Sequence, residues 1–238
     1  MPHSPKRYKK GDSSSYTLGV YPTLELLAAR SQIITEVILS SRAGGNEGAG
    51  KIRDLCAAGG IPCTENERAI QRLSPKENCL AVGLFTVYTE ALEKGMPHVA
   101  LVRPSNRGNA GTIMRTMAGF GFHDLALIGA SIDPLDPQTI RASMGSVFRL
   151  RVEKFQDAAV YLSTHRRATY AFRKDAPLTL DEVGFKGIFT LVFGSEGPGL
   201  EEDIPGSTEV SIPQSRDIDS LNLSTAVAVA LYKARRGL

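Results

Sequence analysis

The chain contains no tryptophan, only three cysteines and no long hydrophobic run. Cys56, Cys63 and Cys79 form no CxxC pair and are odd in number, which argues against a disulfide framework or a cysteine-rich zinc site. They read as small buried hydrophobes in a reducing, cytoplasmic setting, and no metal site is expected. No apolar stretch approaches the ~18 residues needed to cross a bilayer, so no membrane partner is expected. The N-terminus is basic and polar without an apolar core, which excludes a secretory signal. Charge of one sign is also scarce: 28 Lys and Arg stand against 25 Asp and Glu, a net charge of +3. Residues 1–16 carry that whole excess, with Lys6, Arg7, Lys9 and Lys10 against Asp12. Such an arm can contact phosphates, each cation releasing counterions. From charge alone, however, it reads as a solvated, flexible tail, so it gives a nucleic-acid partner little support.

What is present is an ordinary globular composition, 42% hydrophobic and 22% charged, in a chain long enough for one large or two small domains. Residues 17–89 alternate short helical and extended pieces: a helix over Leu24–Gln32, a strand over Glu36–Ser40, a helix over Ile52–Ala58, a short extended Ile61–Cys63, a helix over Ala69–Leu73 and an apolar strand over Cys79–Val87. That pattern predicts a small α/β sandwich. Residues 90–97 are polar, end in Gly95 and Pro97, and read as a linker. From His98 to Leu238 the pattern is more regular. Strands are expected at Val99–Val102, Asp124–Ile128, Thr169–Phe172, Ile188–Phe193 and Glu209–Ile212. Helices are expected at Asn109–Phe120, Asp157–His165 and Asn222–Arg235. This β/α alternation predicts a mostly parallel sheet flanked by helices.

Four motifs stand out along the chain. Gly45-Asn-Glu-Gly-Ala-Gly50-Lys51 fits GxxxxGK, but Ile52 stands where Ser or Thr must ligate Mg²⁺. A flexible glycine-rich turn explains it better than a nucleotide-hydrolysing P-loop. Gly194-Ser-Glu-Gly-Pro-Gly199 follows the most apolar strand, at the edge where parallel α/β sheets bind ligands; alone it is equally a plain turn. Asn106-Arg-Gly-Asn109-Ala-Gly111-Thr-Ile-Met-Arg115 follows a strand and enters a helix that Asn109 can cap. Ser211-Ile-Pro213 leads through a polar loop to Ser220-Leu-Asn222-Leu-Ser224 at the start of the last helix, where capping again accounts for Ser220 and Asn222.

The ordered set says more than its parts. NxGxxxR after a strand, then LVFGSEGPGL, then IP followed by DSLNLS resembles the three motifs of SpoU-type RNA methyltransferases of the SPOUT superfamily, over about residues 98–235. The run from Glu36 to Val87 is similar to the L30e-like RNA-binding domain that precedes many such catalytic domains.

The resemblance implies a C-terminal sheet tied in a deep trefoil knot, a homodimer packed through the last helix, and S-adenosyl-L-methionine as cofactor. It implies that Phe193, Gly194, Ile212, Gln214 and Leu221 hold that cofactor. It further implies transfer of a methyl group to a ribose 2′-oxygen of structured RNA, ribosomal rather than transfer RNA. Arg115 is then the central catalytic residue. An arginine is a reluctant base, so a role in holding phosphate and stabilising developing negative charge suits it better. Asn109 and Ser220 would orient the nucleotide, Glu196 would hold the loops and Arg115, and Asn222 would tie the last helix to the site. A SPOUT enzyme that methylates a base, and a non-catalytic RNA-binding protein on the same fold, remain alternatives.

Overall fold

The computed structural model describes residues 6–74, 77–215 and 217–235. The chain forms two compact units, Met1–Tyr88 with Asp133–Arg149, and Thr89–Ile132 with Leu150–Leu238.

In the first unit the order is β1 (Ser14–Tyr16), α1 (Val20–Arg30), β2 (Ile34–Leu39), α2 (Glu47–Gly59), β3 (Cys63–Glu65), α3 (Glu67–Leu73) and β4 (Ala81–Thr86). The sheet runs β1-β4-β2-β3, with β4 antiparallel to both neighbours and β3 parallel to β2. Side chains alternate across a strand. Accordingly Ile38 and Val82 join Ile70 and Leu73 of α3 in one apolar cluster, while Val37, Leu39 and Ala81 join Leu27 of α1 and Ile52 of α2 in another. The small α/β sandwich expected from the pattern is present. Of the expected flexible tail of residues 1–16, residues 1–5 lie outside the described residues, and the last three form strand β1, which pairs with β4 through Ser14–Thr86 and Tyr16–Leu84.

The glycine-rich run is also not a flexible turn. Asn46 caps α2, its Oδ1 accepting from Ala49 N at 3.0 Å, so Gly48, Gly50 and Lys51 lie within helix. Gly48 is needed because a Cβ there would lie 2.4 Å from Val20 Cγ1. With those residues in the helix, no loop remains to wrap a triphosphate.

The second unit contains β5 (His98–Val102), α4 (Arg107–Phe120) and β6 (Asp124–Ile128). Next in the chain comes α5 (Pro137–Ala142), inside the stretch that groups with the first unit although it falls within the expected 98–238 domain. Asp136 caps it ahead of Pro137, a start signal the sequence reading passed over. There follow β7 (Arg151–Phe155), α6 (Ala158–Thr164), β8 (Ala168–Phe172), β9 (Leu178–Thr179), β10 (Phe189–Phe193), β11 (Thr208–Ser211) and α7 (Leu223–Ala234). The seven strands are all parallel in the order β7-β6-β5-β10-β8-β11-β9. Every residue of β5, β6 and β10 is buried, as expected of strands covered on both faces.

The expected linker 90–97 is bound to this sheet. Leu92 N donates to Glu153, Glu93 N to Asp124, and Arg167 donates to the carbonyls of Met96 and Lys94. These contacts belong to a polar cluster at the amino ends of the strands. His98 Nε2 donates to the Glu93 carbonyl at 2.9 Å, which leaves Nδ1 to accept from the Tyr161 hydroxyl, also at 2.9 Å. His165 packs edge-on against His98 with both ring nitrogens buried and unpartnered among the described residues.

Burial pushes His98 down from 6.5 to about 4; Arg167 and His165 add to this, the Glu93 carbonyl and Asp124 oppose it. Because the folded value lies below the unfolded one, the unfolded chain binds more protons between those limits, and stability falls as pH drops from about 6.5 to about 4. At 1.36 kcal/mol per unit the loss is about 3 kcal/mol. Thermal midpoints across this window should decline in the wild type and decline less in His98→Gln; parallel curves would remove His98 as the cause.

Candidate active site

The opposite, carboxyl edge of the same sheet carries a cavity of about 600 Å³, a size typical of small-molecule sites. Its floor is apolar: Phe172 and Phe193, from the ends of β8 and β10, stack with centroids 4.4 Å apart and planes 13° from parallel. Three loops close over them, residues 194–200 after β10, 212–215 with 217–221 after β11, and 173–175 after β8.

The first loop folds back tightly. Ser195 N donates to the Gly199 carbonyl at 3.0 Å and Gly199 N to the Ser195 carbonyl at 3.2 Å. A Cβ on Gly194 would fall 1.9 Å from Gly199 C, so only glycine permits the closure. In the second loop, Gln214 Oε1 accepts from Leu221 N at 3.2 Å, drawing together two segments that both face the cavity.

All five residues assigned to the cofactor, Phe193, Gly194, Ile212, Gln214 and Leu221, line this cavity, as do Glu196 and Ser220. Asn109, Arg115 and Asn222 do not. Asn109 and Asn222 instead belong to a hydrogen-bonded hub centred on Glu196. Glu196 Oε2 accepts from Ser105 N and Oγ, each at 3.2 Å. Oε1 accepts from Asn106 N at 3.4 Å and from Asn109 Nδ2 at 3.2 Å. Asn109 Oδ1 in turn accepts from Asn222 Nδ2 at 3.1 Å. Three segments far apart in the chain are thereby joined. Burial raises the Glu196 carboxyl, but the N–H groups of Glu196 and Ser105 and the side chains of Asn109 and Ser105 outweigh it and hold the group below the ordinary carboxylate range.

The geometry corrects three expectations. Asn106, not Asn109, caps α4, accepting from Asn109 N at 3.0 Å, which leaves the Asn109 side chain for the hub. Asn222 does cap α7, accepting from Ser224 N at 2.8 Å, and its amide makes the bond to Asn109 besides; Ser220 caps nothing. Glu196 does not hold Arg115. That side chain is exposed on α4, six residues beyond Asn109, with no hydrogen bond or ion pair to another described residue.

Arg173 is the residue that sequence reasoning missed. From the end of β8 its guanidinium donates to the Leu200 carbonyl and, at 2.8 Å, to the Glu202 carbonyl. Its Nε stands 2.7 Å from Glu209 Oε1, at ion-pair distance but without hydrogen-bond geometry. The planar fork thus holds the end of the glycine loop against β11. Arg173→Ala should raise the KM for the molecule filling the cavity about tenfold, equivalent to about 1.4 kcal/mol, at nearly constant kcat. Arg173→Lys should not rescue it, because one ammonium cannot reproduce the fork. A kcat defect at unchanged KM would contradict this positioning role.

A parallel α/β unit with a cavity at the carboxyl ends of its strands is a small-molecule-binding architecture. Residues 96–232 match the SpoU rRNA Methylase family, and the chain belongs to it. A Synechocystis protein named as an uncharacterized tRNA/rRNA methyltransferase is 36% identical over 58% of this chain and 52% of its own length. A 23S rRNA (adenosine(1067)-2'-O)-methyltransferase of Streptomyces laurentii is 34% identical over 55% of this chain and 51% of its own length. The chain therefore spans about half the length of these curated relatives. Among solved structures, the AdoMet-bound rRNA methyltransferase of Sinorhizobium meliloti aligns with a TM-score of 0.78 at 25% identity, covering 95% of this chain and 88% of that one. Among the described residues no helix is long and apolar enough to cross a membrane, and no cluster of three potential metal ligands occurs.

Proposed function

We propose that this protein transfers a methyl group from S-adenosyl-L-methionine to a ribose 2′-hydroxyl of structured RNA, ribosomal rather than transfer RNA. The observation that carries this reading is the joining of all three motif loops at one strand edge, around a cavity and an ionised hub. The cavity suits the cofactor: it has the volume, an aromatic floor for a base, and peptide groups of Gly194, Ile212 and Leu221 around it. Bound there, the cofactor supplies an electrophilic methyl group.

The chain's own residues do the rest. The four donors on Glu196 occupy both its oxygens, so it orders the loops instead of acting as a proton acceptor. Asn109 and Asn222 brace the starts of α4 and α7, and Ser220 offers a hydroxyl at the cavity to orient the nucleotide. Arg115 holds an RNA phosphate and stabilises the negative charge left on the 2′-oxygen as its proton passes to solvent. The first unit serves as an L30e-like RNA grip. The return of β10 and β11 between strands laid down earlier supports a knotted path for the chain. A homodimer through α7 is supported by exposed Val229 and Tyr232 on that helix, and a cytoplasmic location is part of this proposal.

The test is incubation with tritiated cofactor and total RNA from a strain lacking the protein, followed by nucleoside mass spectrometry. A 2′-O-methylated nucleoside in ribosomal RNA is expected. A base-methylated product overturns the ribose assignment, label in transfer RNA overturns the substrate, and cofactor binding without label in any RNA overturns the activity.

A further inference from the structure

The motifs explain the cavity, yet the chain's excess positive charge lies in the other unit. There, several cations are neutralised locally: Arg42 by Glu67 at 2.9 Å, Arg53 by Glu65 at 2.7 Å and Arg149 by Glu25 at 2.5 Å. Lys6, Lys9, Lys10 and Arg68 differ. All four are exposed, and none makes an ion pair with a described residue.

The arm that carries the lysines is nonetheless fixed. Arg7 Nε donates to the Arg72 carbonyl at the end of α3, at 3.0 Å. The Tyr8 hydroxyl donates to Asp133 Oδ2 at 2.7 Å, and its ring packs on the apolar cluster beneath α3. Lys9 N donates to Asp12 Oδ2 at 2.9 Å and Asp12 N returns a bond to the Lys9 carbonyl at 3.0 Å, closing a turn. Arg68 lies one helical turn before Arg72, on the same side of α3. The acidic groups around Tyr8 are Asp12, Asp133 and Asp136. They accept from the Lys9 amide, the Tyr8 hydroxyl and, for Asp136, the Gln138 amide at the start of α5, not from the lysine ammonium groups.

We propose that Lys6, Lys9, Lys10 and Arg68 form a fixed cationic edge of the first unit that grips the RNA sugar-phosphate backbone. The choice of RNA rests on the function proposed above. Point-charge ammonium groups contact phosphates, and the Tyr8 ring faces inward and is not offered for base stacking, so the edge adds affinity and not sequence choice. Holding the arm in place before binding removes part of the ordering cost that a loose tail would incur on contact.

Full-length protein and a fluorescently labelled RNA hairpin, followed by anisotropy between about 50 and 200 mM salt, test this. In the triple variant Lys6→Gln, Lys9→Gln, Lys10→Gln, the slope of log K against log salt should become shallower by about 2–3, at 0.7–0.9 per lost contact. Affinity for S-adenosyl-L-methionine and the thermal midpoint should be unchanged. Tyr8→Ala, which keeps every cation but removes a pin, should weaken binding at an unchanged slope. An unchanged slope in the triple variant overturns the cationic edge. Wild-type affinity in Tyr8→Ala reduces it to a free tail and overturns its fixed character. Methyl transfer is scored separately: an enzyme that binds through this edge but methylates nothing leaves the edge standing and removes the proposed function, and the reverse outcome does the opposite.

Discussion

Arg115→Ala is expected to lower kcat for RNA methylation by about 10²–10³, the scale of removing one group that stabilises transition-state charge. Cofactor affinity should stay within about twofold of wild type, well below the 1.4 kcal/mol that corresponds to tenfold. The reason is positional. Arg115 is exposed on α4, lines no part of the cavity and has no partner among the described residues, so its guanidinium is free to meet a phosphate when RNA arrives. Arg115→Lys should recover part of the loss, since an ammonium supplies charge without the planar fork. Single-turnover rates at saturating RNA and cofactor, beside calorimetric cofactor titration, would check both halves. Turnover within tenfold of wild type in the alanine variant would sink the role.

Glu196→Ala should damage two properties together. Removing the carboxylate leaves the amides of Ser105 and Asn106, the Ser105 hydroxyl and the Asn109 side chain without their acceptor. A hydrogen bond to a charged group contributes roughly 1.5–3 kcal/mol, and here several converge on one side chain that is partly screened by solvent. A total loss of about 2–3 kcal/mol in the ordering of the site is a reasonable scale. Both a weaker cofactor complex and a fall in kcat of about 10²-fold are expected, which sets this variant apart from Arg115→Ala. Glu196→Gln should not restore function, because its amide nitrogen would face donors where an oxygen now accepts. An alanine variant that binds cofactor normally and turns over at the wild-type rate would show that the hub orders nothing. The hub also predicts acid sensitivity. The carboxyl is held below its ordinary range, so its contribution is present above the unfolded value and fades as pH falls through the folded one.

Much of this architecture is legible along the chain. The runs Val99–Val102, Asp124–Ile128 and Ile188–Phe193 are apolar enough to read as strands, and the strands found there, His98–Val102, Asp124–Ile128 and Phe189–Phe193, are buried throughout. The end of α4 at Gly121 follows from a glycine in the left-handed conformation that closes helices. The three motif loops are likewise legible, and the five residues that the resemblance assigns to the cofactor all line the cavity. The amino end of α4 was misread because Asn106 and Asn109 are both good caps, three residues apart, and local preference does not choose between them. Glu196 decides: it reaches Asn109 across 87 residues and leaves the cap to Asn106.

The sequence by itself determined the elements that depend on local periodicity and turn chemistry: the strands, the long helices, the ordered motifs and hence the family. Only the tertiary structure decided which residues share a partner. Arg173 carries no motif, and its guanidinium donates its hydrogen bonds to main-chain carbonyls, which any sequence supplies. The 133–149 stretch joins the first unit through contacts such as the Tyr8 hydroxyl to Asp133 and the Ser15 hydroxyl to the Leu135 carbonyl, with chain separations of 125 and 120 residues. The basic arm reads from its charge as a loose tail, and it is fixed because Arg7 and Tyr8 find acceptors that no local pattern records. Periodicity encodes which face a residue buries; hydrogen bonds made over such distances depend on how the chain closes on itself.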